Sequence, residues 1–422
     1  MRGNGRNHTT NGHGISTMII CSIPPRLKGE TEYTIQLINS LSLFEEISSI
    51  DVLTFKMKIG TRQDDRQMFQ NQKIRIRRAL SSAPVARFFN GFIASFVIVR
   101  RHVDVVHLVN PFDRNDYGGA LGEGLIPFLV TAKFLKLPVV ISIHTPYLHS
   151  DIRNRIKLKI HNKLLSHLLE ILIESTLHFM FMLSSKLLLV SSENRDMKLF
   201  ERFKNDYNIS DNKLSFEEHP YLKADVYERE PLDLTSHIAN EYALCFGFLR
   251  EEKGFHLAIQ AWHLAQKDLK QLQLLIVGPV GNKDGEKYLK YLQNLVLELN
   301  MSQSVIIVPR LLPAEELKWL CVNSKFIILP YINIQGPSGT AMDARLSGVP
   351  IVATDIPVLR NQLADTDVIW TKATSNDISK AILQANGLNK LRKNPFSNQF
   401  KNGIMKTSEA ILKIYESYIG DK

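Results

Sequence analysis

The chain has 422 residues, 44% of them hydrophobic and 22% charged. It is too long for one ordinary core and too apolar for a disordered chain, so two soluble globular domains are expected. The three cysteines, Cys21, Cys245 and Cys321, are odd in number and each flanks an apolar run, which excludes a disulfide framework or a zinc spacing and suggests buried, reduced thiols in a cytoplasmic protein. The net charge is +10, but no nucleic-acid motif accompanies it, so nucleic acid is not an expected partner.

In chain order, the polar start MRGNGRNHTTNGHG reads as a flexible tail over 1–15, with no apolar segment behind it that would make a secretory signal. Apolar runs of strand length then alternate with helical stretches: Met18–Ser22, Ile50–Thr54, Val103–Val109, Pro138–His144 and Leu187–Ser191. Between Lys56 and Arg101 stand eleven basic residues against two acids, Asp64 and Asp65, with Phe88, Phe89, Phe92 and Phe96 interleaved. That pattern suits an anionic membrane surface or a pyrophosphate-linked lipid, and equally a solvated helix face with an aromatic core side. Ile152–Lys163, IRNRIKLKIHNK, reads as a basic helix with five Lys and Arg and no acid, a second candidate for a lipid-phosphate contact. The apolar stretch His167–Leu183 holds Glu170, Glu174 and His178 and falls short of a clean span, so a core helix is expected there.

Charge and a proline interrupt the pattern at Tyr227–Ser236, YEREPLDLTS, which places the boundary. A first domain over 16–230 and a second over 231–400 follow, with a C-terminal helix at 401–422 free to cross back to the first. The second half repeats the rhythm in Ala243–Gly247, Leu272–Gly278, Val305–Val308, Phe326–Pro330, Pro350–Thr354 and Val368–Trp370. Near-continuous apolar strands of this kind are covered on both faces, so both domains are expected to be doubly wound α/β with parallel sheets. Ligands of such sheets sit beyond the carboxyl ends of the strands.

One post-strand loop stands out, GPSGTAMDARLSGVPIVATD from Gly336 to Asp355. Ser338 can cap a helix over Gly339–Ser347 that Gly348 stops. The amides around Ser338, Gly339 and Thr340 would then face out of the sheet edge, where a phosphate could accept them. Asp343, a turn inside, could reach a sugar hydroxyl or make a structural hydrogen bond.

From FGFLREEKGFHLAIQAW through LQLLIVG and LLPAEELKWLCVNSKFIILPY to SGTAMDARLSGVPIVATDIP, the second half resembles the donor domain of GT-B fold glycosyltransferases of family 4, the retaining group 1 enzymes. The first half resembles them more loosely, in IPPRLKGETEYTIQLINSL, DVVHLVNP and VVISIHTPYL. The resemblance implies two Rossmann-like domains facing across a cleft, a nucleotide-sugar donor as substrate, and no cofactor or metal. No metal-binding cluster stands out in the sequence. Of the family's two glutamates, the one that contacts the donor sugar falls on Gln335 and the one that contacts the ribose on Asp343. Lys253 takes the place of the family's diphosphate lysine, while Phe248 stands after Gly247 where the arginine is usual, and Arg250 is the available substitute. Lys28–Gly29 replaces a glycine pair; Gly29 can still let backbone approach the diphosphate. His144 matches a cleft histidine near the transferred sugar, and His219–Pro220 sits where a linker loop returns to the cleft.

Lys253, His144 and Arg250 are therefore the expected catalytic residues, with Gly29, Gly247, Gln335, Ser338, Gly339, Thr340 and Asp343 at the donor. The leading expectation is a metal-independent retaining hexosyltransferase that uses a lipid-linked or glycan acceptor and is peripheral on the cytoplasmic membrane face. A non-catalytic GT-B relative that binds a glycan, lipid or protein is the alternative, and a nucleotide-sugar epimerase is a third.

Overall fold

The computed structural model describes residues 14–24, 30–56, 65–66, 68–69, 71–112, 114–119, 122–144, 146–160, 162–191, 197–218, 228–236, 238, 241–269, 271–281, 283–334, 338–364, 366–388 and 403–419. Gly29 with Lys28, Gln335 and His219–Pro220 lie outside the described residues.

Two all-parallel sheets form. The first contains β1 (Ile15–Ile20), β2 (Ile47–Phe55), β3 (Ile74–Leu80), β4 (Val105–Val109), β5 (Val139–Ile143), β6 (Lys186–Ser191) and β7 (Leu214–Glu218), ordered β3-β2-β1-β4-β5-β6-β7. The second contains β8 (Tyr242–Phe246), β9 (Gln273–Val277), β10 (Val305–Val308), β11 (Ile327–Leu329), β12 (Ile351–Thr354) and β13 (Val368–Thr371), ordered β10-β9-β8-β11-β12-β13. In both, the strand order reverses beside the first strand, as in doubly wound domains, and strands such as Val105–Val109 are buried residue by residue because helices cover both faces. This is the GT-B architecture.

The longer helices are α1 (Thr31–Leu41), α2 (Asn90–Val99), α3 (Ile126–Phe134), α4 (His149–Lys159), α5 (Lys163–Leu183), α6 (Met197–Asp206), α7 (Phe255–Ala265), α8 (Lys283–Glu298), α9 (Ala314–Asn323), α10 (Gly339–Ser347), α11 (Ser375–Asn386) and α12 (Gly403–Ile419). On one face of the first sheet α2, α3, α5 and α6 bury Ala94, Phe128, Leu129, Met180, Phe181 and Phe203. On the other, α1 and α12 bury Tyr33, Leu37, Leu41, Ile411 and Tyr415. The C-terminal helix thus lies on the first domain, where Tyr418 donates to the Ser185 carbonyl at 2.9 Å. In the second domain α7, α8 and α11 pack Trp262, Leu292 and Ile382 on one face, and α9 and α10 pack Leu320, Ala341 and Ala344 on the other.

Four sequence expectations change. Part of the basic window is an edge strand, β3, not helix: Arg75 and Arg77 alternate outward, while Arg78 turns in and pairs with Asp65 at 2.5 Å. The strand β7 went unrecognised, because LSFEE carries two acids on a short apolar run. Ile152–Lys163 is not one helix, since extended backbone at Ile160 ends α4 and Asn162 caps α5 by accepting from the Leu164 and Leu165 amides. And α5 is a core helix along one side only. It is long and apolar enough to cross a membrane by length and composition, yet it packs on α3 and α4 with one side, where Leu177, Met180 and Phe181 are buried, and leaves Leu168 and Leu172 exposed.

Candidate active site

The carboxyl end of β8 runs into Gly247, whose φ of +114° is open only to glycine without strain. A Cβ there would stand 2.8 Å from the Thr340 hydroxyl, so the turn after β8 is pressed against the start of α10. Gly278, at the end of β9, would put a Cβ 1.7 Å from the Gly247 carbonyl oxygen. Two strand ends and a helix start therefore meet with no room for side chains between them. Beyond this turn, Glu251–Lys253 forms a single 3-10 turn closed by Gly254 at φ +69°, and the Ile332 amide donates to the Glu252 carbonyl at 3.0 Å. That bond holds the turn against the end of β11.

Lys253 is the side chain the turn delivers. Its Nζ donates to Ser338 Oγ at 3.2 Å and lies 3.9 Å from the centre of the Tyr331 ring, a cation over an aromatic face. The Tyr331 and Ser338 hydroxyls are 3.1 Å apart. Ser338 caps α10 by accepting from the Ala341 amide at 3.3 Å, as its position in the sequence suggests, and Gly348 at φ +67° stops the helix. Its backbone is clamped by fully buried Gln362: the Ser338 amide donates to Gln362 Oε1 at 2.9 Å and Gln362 Nε2 returns a bond to the Ser338 carbonyl at 3.2 Å. Among the described residues, a Cβ at Gly339 would meet nothing within 4 Å, so the start of α10 is open on that side. A cation and a helix N-terminus opening at one strand edge favour an anionic group.

The remaining expected residues fall elsewhere. Arg250 is exposed, with its guanidinium 5.2 Å from the Phe248 ring centre and 3.8 Å from Glu252. It does not join Lys253 at Ser338. Phe248 itself faces the turn after β9, where a Cβ at Gly281 would be 3.3 Å from its ring. Asp343 lines a groove between α9 and α10 with Leu317, Lys318 and Cys321. His144, just past β5 in the first domain, is buried, with its ring edge-on to Tyr33 at 4.5 Å. Tyr33 stands near the start of α1, so His144 is fixed at the carboxyl edge of the first sheet.

Sequence reasoning missed Tyr331 and Gln362. Tyr331 follows the end of β11 after one proline and was legible from position alone, whereas nothing in VLRNQL marks Gln362 as the clamp. Burial pushes the thiols of Cys21 and Cys245 well above their ordinary range, which leaves them no role as nucleophiles. Among the described residues no group of acids, histidines or cysteines is arranged to hold a metal ion.

Residues 236–401 match the family Glycosyl transferases group 1. Over nearly its whole length the chain is similar to solved structures. A glycosyltransferase from Rickettsia africae superposes with a TM-score of 0.66 at 13% identity, covering 97% of this chain and 100% of that one. An alpha,alpha-trehalose 6-phosphate synthase from Burkholderia multivorans gives 0.69 at 10% identity, with 97% and 98% covered. An Anabaena protein solved in complex with UDP and glucose gives 0.58 at 12% identity, with 96% and 98% covered. The likeness at these identities is one of fold, and it extends over both domains. No curated protein matches the sequence significantly.

Proposed function

We propose that the chain is a retaining hexosyltransferase of family 4 that takes sugar from a nucleotide donor, UDP-glucose being the first to test, and passes it to a lipid-linked or glycan acceptor at the cytoplasmic face of a membrane. The observation that carries this reading is the Lys253–Ser338–Tyr331 cluster at the open start of α10. As the bond between sugar and phosphate breaks, negative charge grows on the leaving diphosphate. Lys253 and the amides of Gly339 and Thr340 at the start of α10 would stabilise it without reorganising. In the retaining reading the acceptor hydroxyl attacks from the side the diphosphate leaves, and a diphosphate oxygen takes its proton. His144 and Gln335 would hold sugar hydroxyls; Asp343 would have to turn from the groove between α9 and α10 to reach the ribose, and Arg250 would have to leave Phe248 and Glu252 to add a second cation. The UDP and glucose of the Anabaena complex support the choice of donor.

A second reading, a donor-binding relative without transfer, is favoured by one observation: Arg250 is engaged with Phe248 and Glu252 instead of the cluster. Thermal stability against a panel of nucleoside diphosphates and their sugars tests both. Saturation at ~100 times the dissociation constant adds ~2.7 kcal/mol. A melting shift with one base that Lys253→Ala abolishes, followed by transfer of labelled sugar, supports the enzyme. A shift without transfer to any acceptor leaves the binding relative, and no shift from folded protein overturns both.

A further inference from the structure

The helices α2, α3 and α5 lie side by side on one face of the first sheet, and their outer surface is apolar where a soluble surface would be polar. On the turn into α2 and along it, Phe88, Phe89, Phe92, Phe96 and Val99 recur at helical spacing and are all exposed. On α3, Val130 and Phe134 are exposed, Phe134 to 87%. On α5, Leu164, Leu168, Leu172, Phe179 and Met182 form one outward stripe, Leu164 exposed to 70%. A patch that spans three adjacent helices is far beyond the scattered apolar residues of ordinary surfaces.

Charge identifies the occupant. The exposed ionic groups of these helices and their ends are all basic: Arg100 and Arg101 after α2, Lys133 and Lys136 at the end of α3, Lys163 at the start of α5. The two acids of α5 turn toward α4, Glu170 accepting from Arg153 at 2.6 Å and Glu174 standing 3.8 Å from His149. The Arg100 guanidinium lies 3.9 Å from the Phe96 ring centre, a basic head carried beside an apolar wedge. A second copy would bring cations against cations, whereas an anionic bilayer offers acyl chains to the phenylalanines and headgroup charge to the rim.

We propose that the outer face of α2, α3 and α5 is a docking surface for anionic lipid bilayers. The inference deepens the membrane part of the proposed function and rests on it, but it relocates the contact from the basic segments to an apolar face with a basic rim. It also places the acceptor's entry. Gly118, in the chain after β4, would put a Cβ 2.6 Å from the Phe88 ring, so loops at the carboxyl edge of the sheet touch the corner of the patch, and a lipid-borne acceptor would pass from bilayer to cleft there.

The test is sedimentation of the full chain with vesicles of phosphatidylglycerol and phosphatidylcholine, and of phosphatidylcholine alone. We expect at least tenfold tighter binding to the anionic vesicles. Phe92→Ser with Phe96→Ser on α2, and separately Leu168→Gln with Leu172→Gln on α5, should each weaken it tenfold or more while melting temperature and the nucleotide-induced shift stay unchanged. Because the donor site lies in the other domain, loss of vesicle binding with the nucleotide shift intact separates this proposal from the donor reading. Absence of binding to both vesicles, equal binding by the substituted chains, or a concentration-dependent dimer that the same substitutions dissociate would overturn it.

Discussion

At Gly254 the backbone is left-handed and a Cβ would sit 1.9 Å from the Pro330 carbonyl oxygen, so the position tests how tightly the Lys253 turn is fixed. Gly254→Ala should cost about 1–2 kcal/mol from backbone conformation alone, with the clash added, read as a lower denaturant midpoint. Gly247→Ala meets only the movable Thr340 hydroxyl, so its clash should be smaller, but φ +114° lies outside the left-handed helical region and its backbone strain should be larger than at Gly254; its methyl also intrudes where α10 begins, so donor binding and stability should both fall. Lys253→Ala removes a half-buried cation with one hydrogen bond to Ser338 and a contact over the Tyr331 ring, so folding should lose about 1–3 kcal/mol. Transfer should drop by two to three orders of magnitude if the lysine stabilises the leaving diphosphate. The sequence made Lys253 and Ser338 legible because turn and cap chemistry are local. It could not show that Arg250 rests on Phe248, since that choice depends on which face of a short turn meets the loop after β9.

At the scale of elements, α10 was readable to the residue, because a serine cap and a glycine stop are written in adjacent letters. Ser338→Ala should cost about 0.5–2 kcal/mol through the lost cap, and it also removes a partner of Lys253 and Tyr331. Ser338→Thr keeps the hydroxyl and should restore most of the stability, so a comparison of the two by chemical denaturation separates the cap from mere packing. The helix α5 was misread because periodicity reports an apolar stripe without saying which side the sheet lies on. Its true inner side includes Ser166 and Glu170, polar residues that find partners in Ile160 and Arg153. The strand β3 was hidden by arginines that sit on the open side of an edge strand, where charge is tolerated and guards against pairing.

For the whole molecule, the anchoring of α12 sets the pH response. His107, buried in β4, is bridged by Tyr415 at Nδ1 and Ser142 at Nε2, each at 2.7 Å, and burial lowers its pKa to about 3. Below pH 6.5 the unfolded chain takes up a proton that the folded one refuses, so this group's stability is complete above 6.5 and is lost as pH falls toward 3, by up to about 1.4 kcal/mol per unit. Glu217 in β7 acts in the opposite sense: burial raises its pKa to about 7, countered by Lys406 and Lys186, so its folded form gains as pH falls from 7 to 4.5. The two slopes oppose each other between 4.5 and 6.5. Urea midpoints of the native chain should be nearly flat in that window and fall below it, Glu217→Gln should begin to fall at 6.5, and His107→Gln should rise on acidification.

The helix that carries Tyr415 also orders events in time. Because α12 covers Tyr33, Leu37 and Leu41 and follows every strand of the second sheet in the chain, a nascent chain emerging from the ribosome holds all those strands before the first domain receives this wall. The earlier-made half must therefore wait for the later-made half, with one apolar side of α1 bare throughout synthesis. A chain stopped at 402 should bind a hydrophobic dye and still show the nucleotide shift of a finished donor domain.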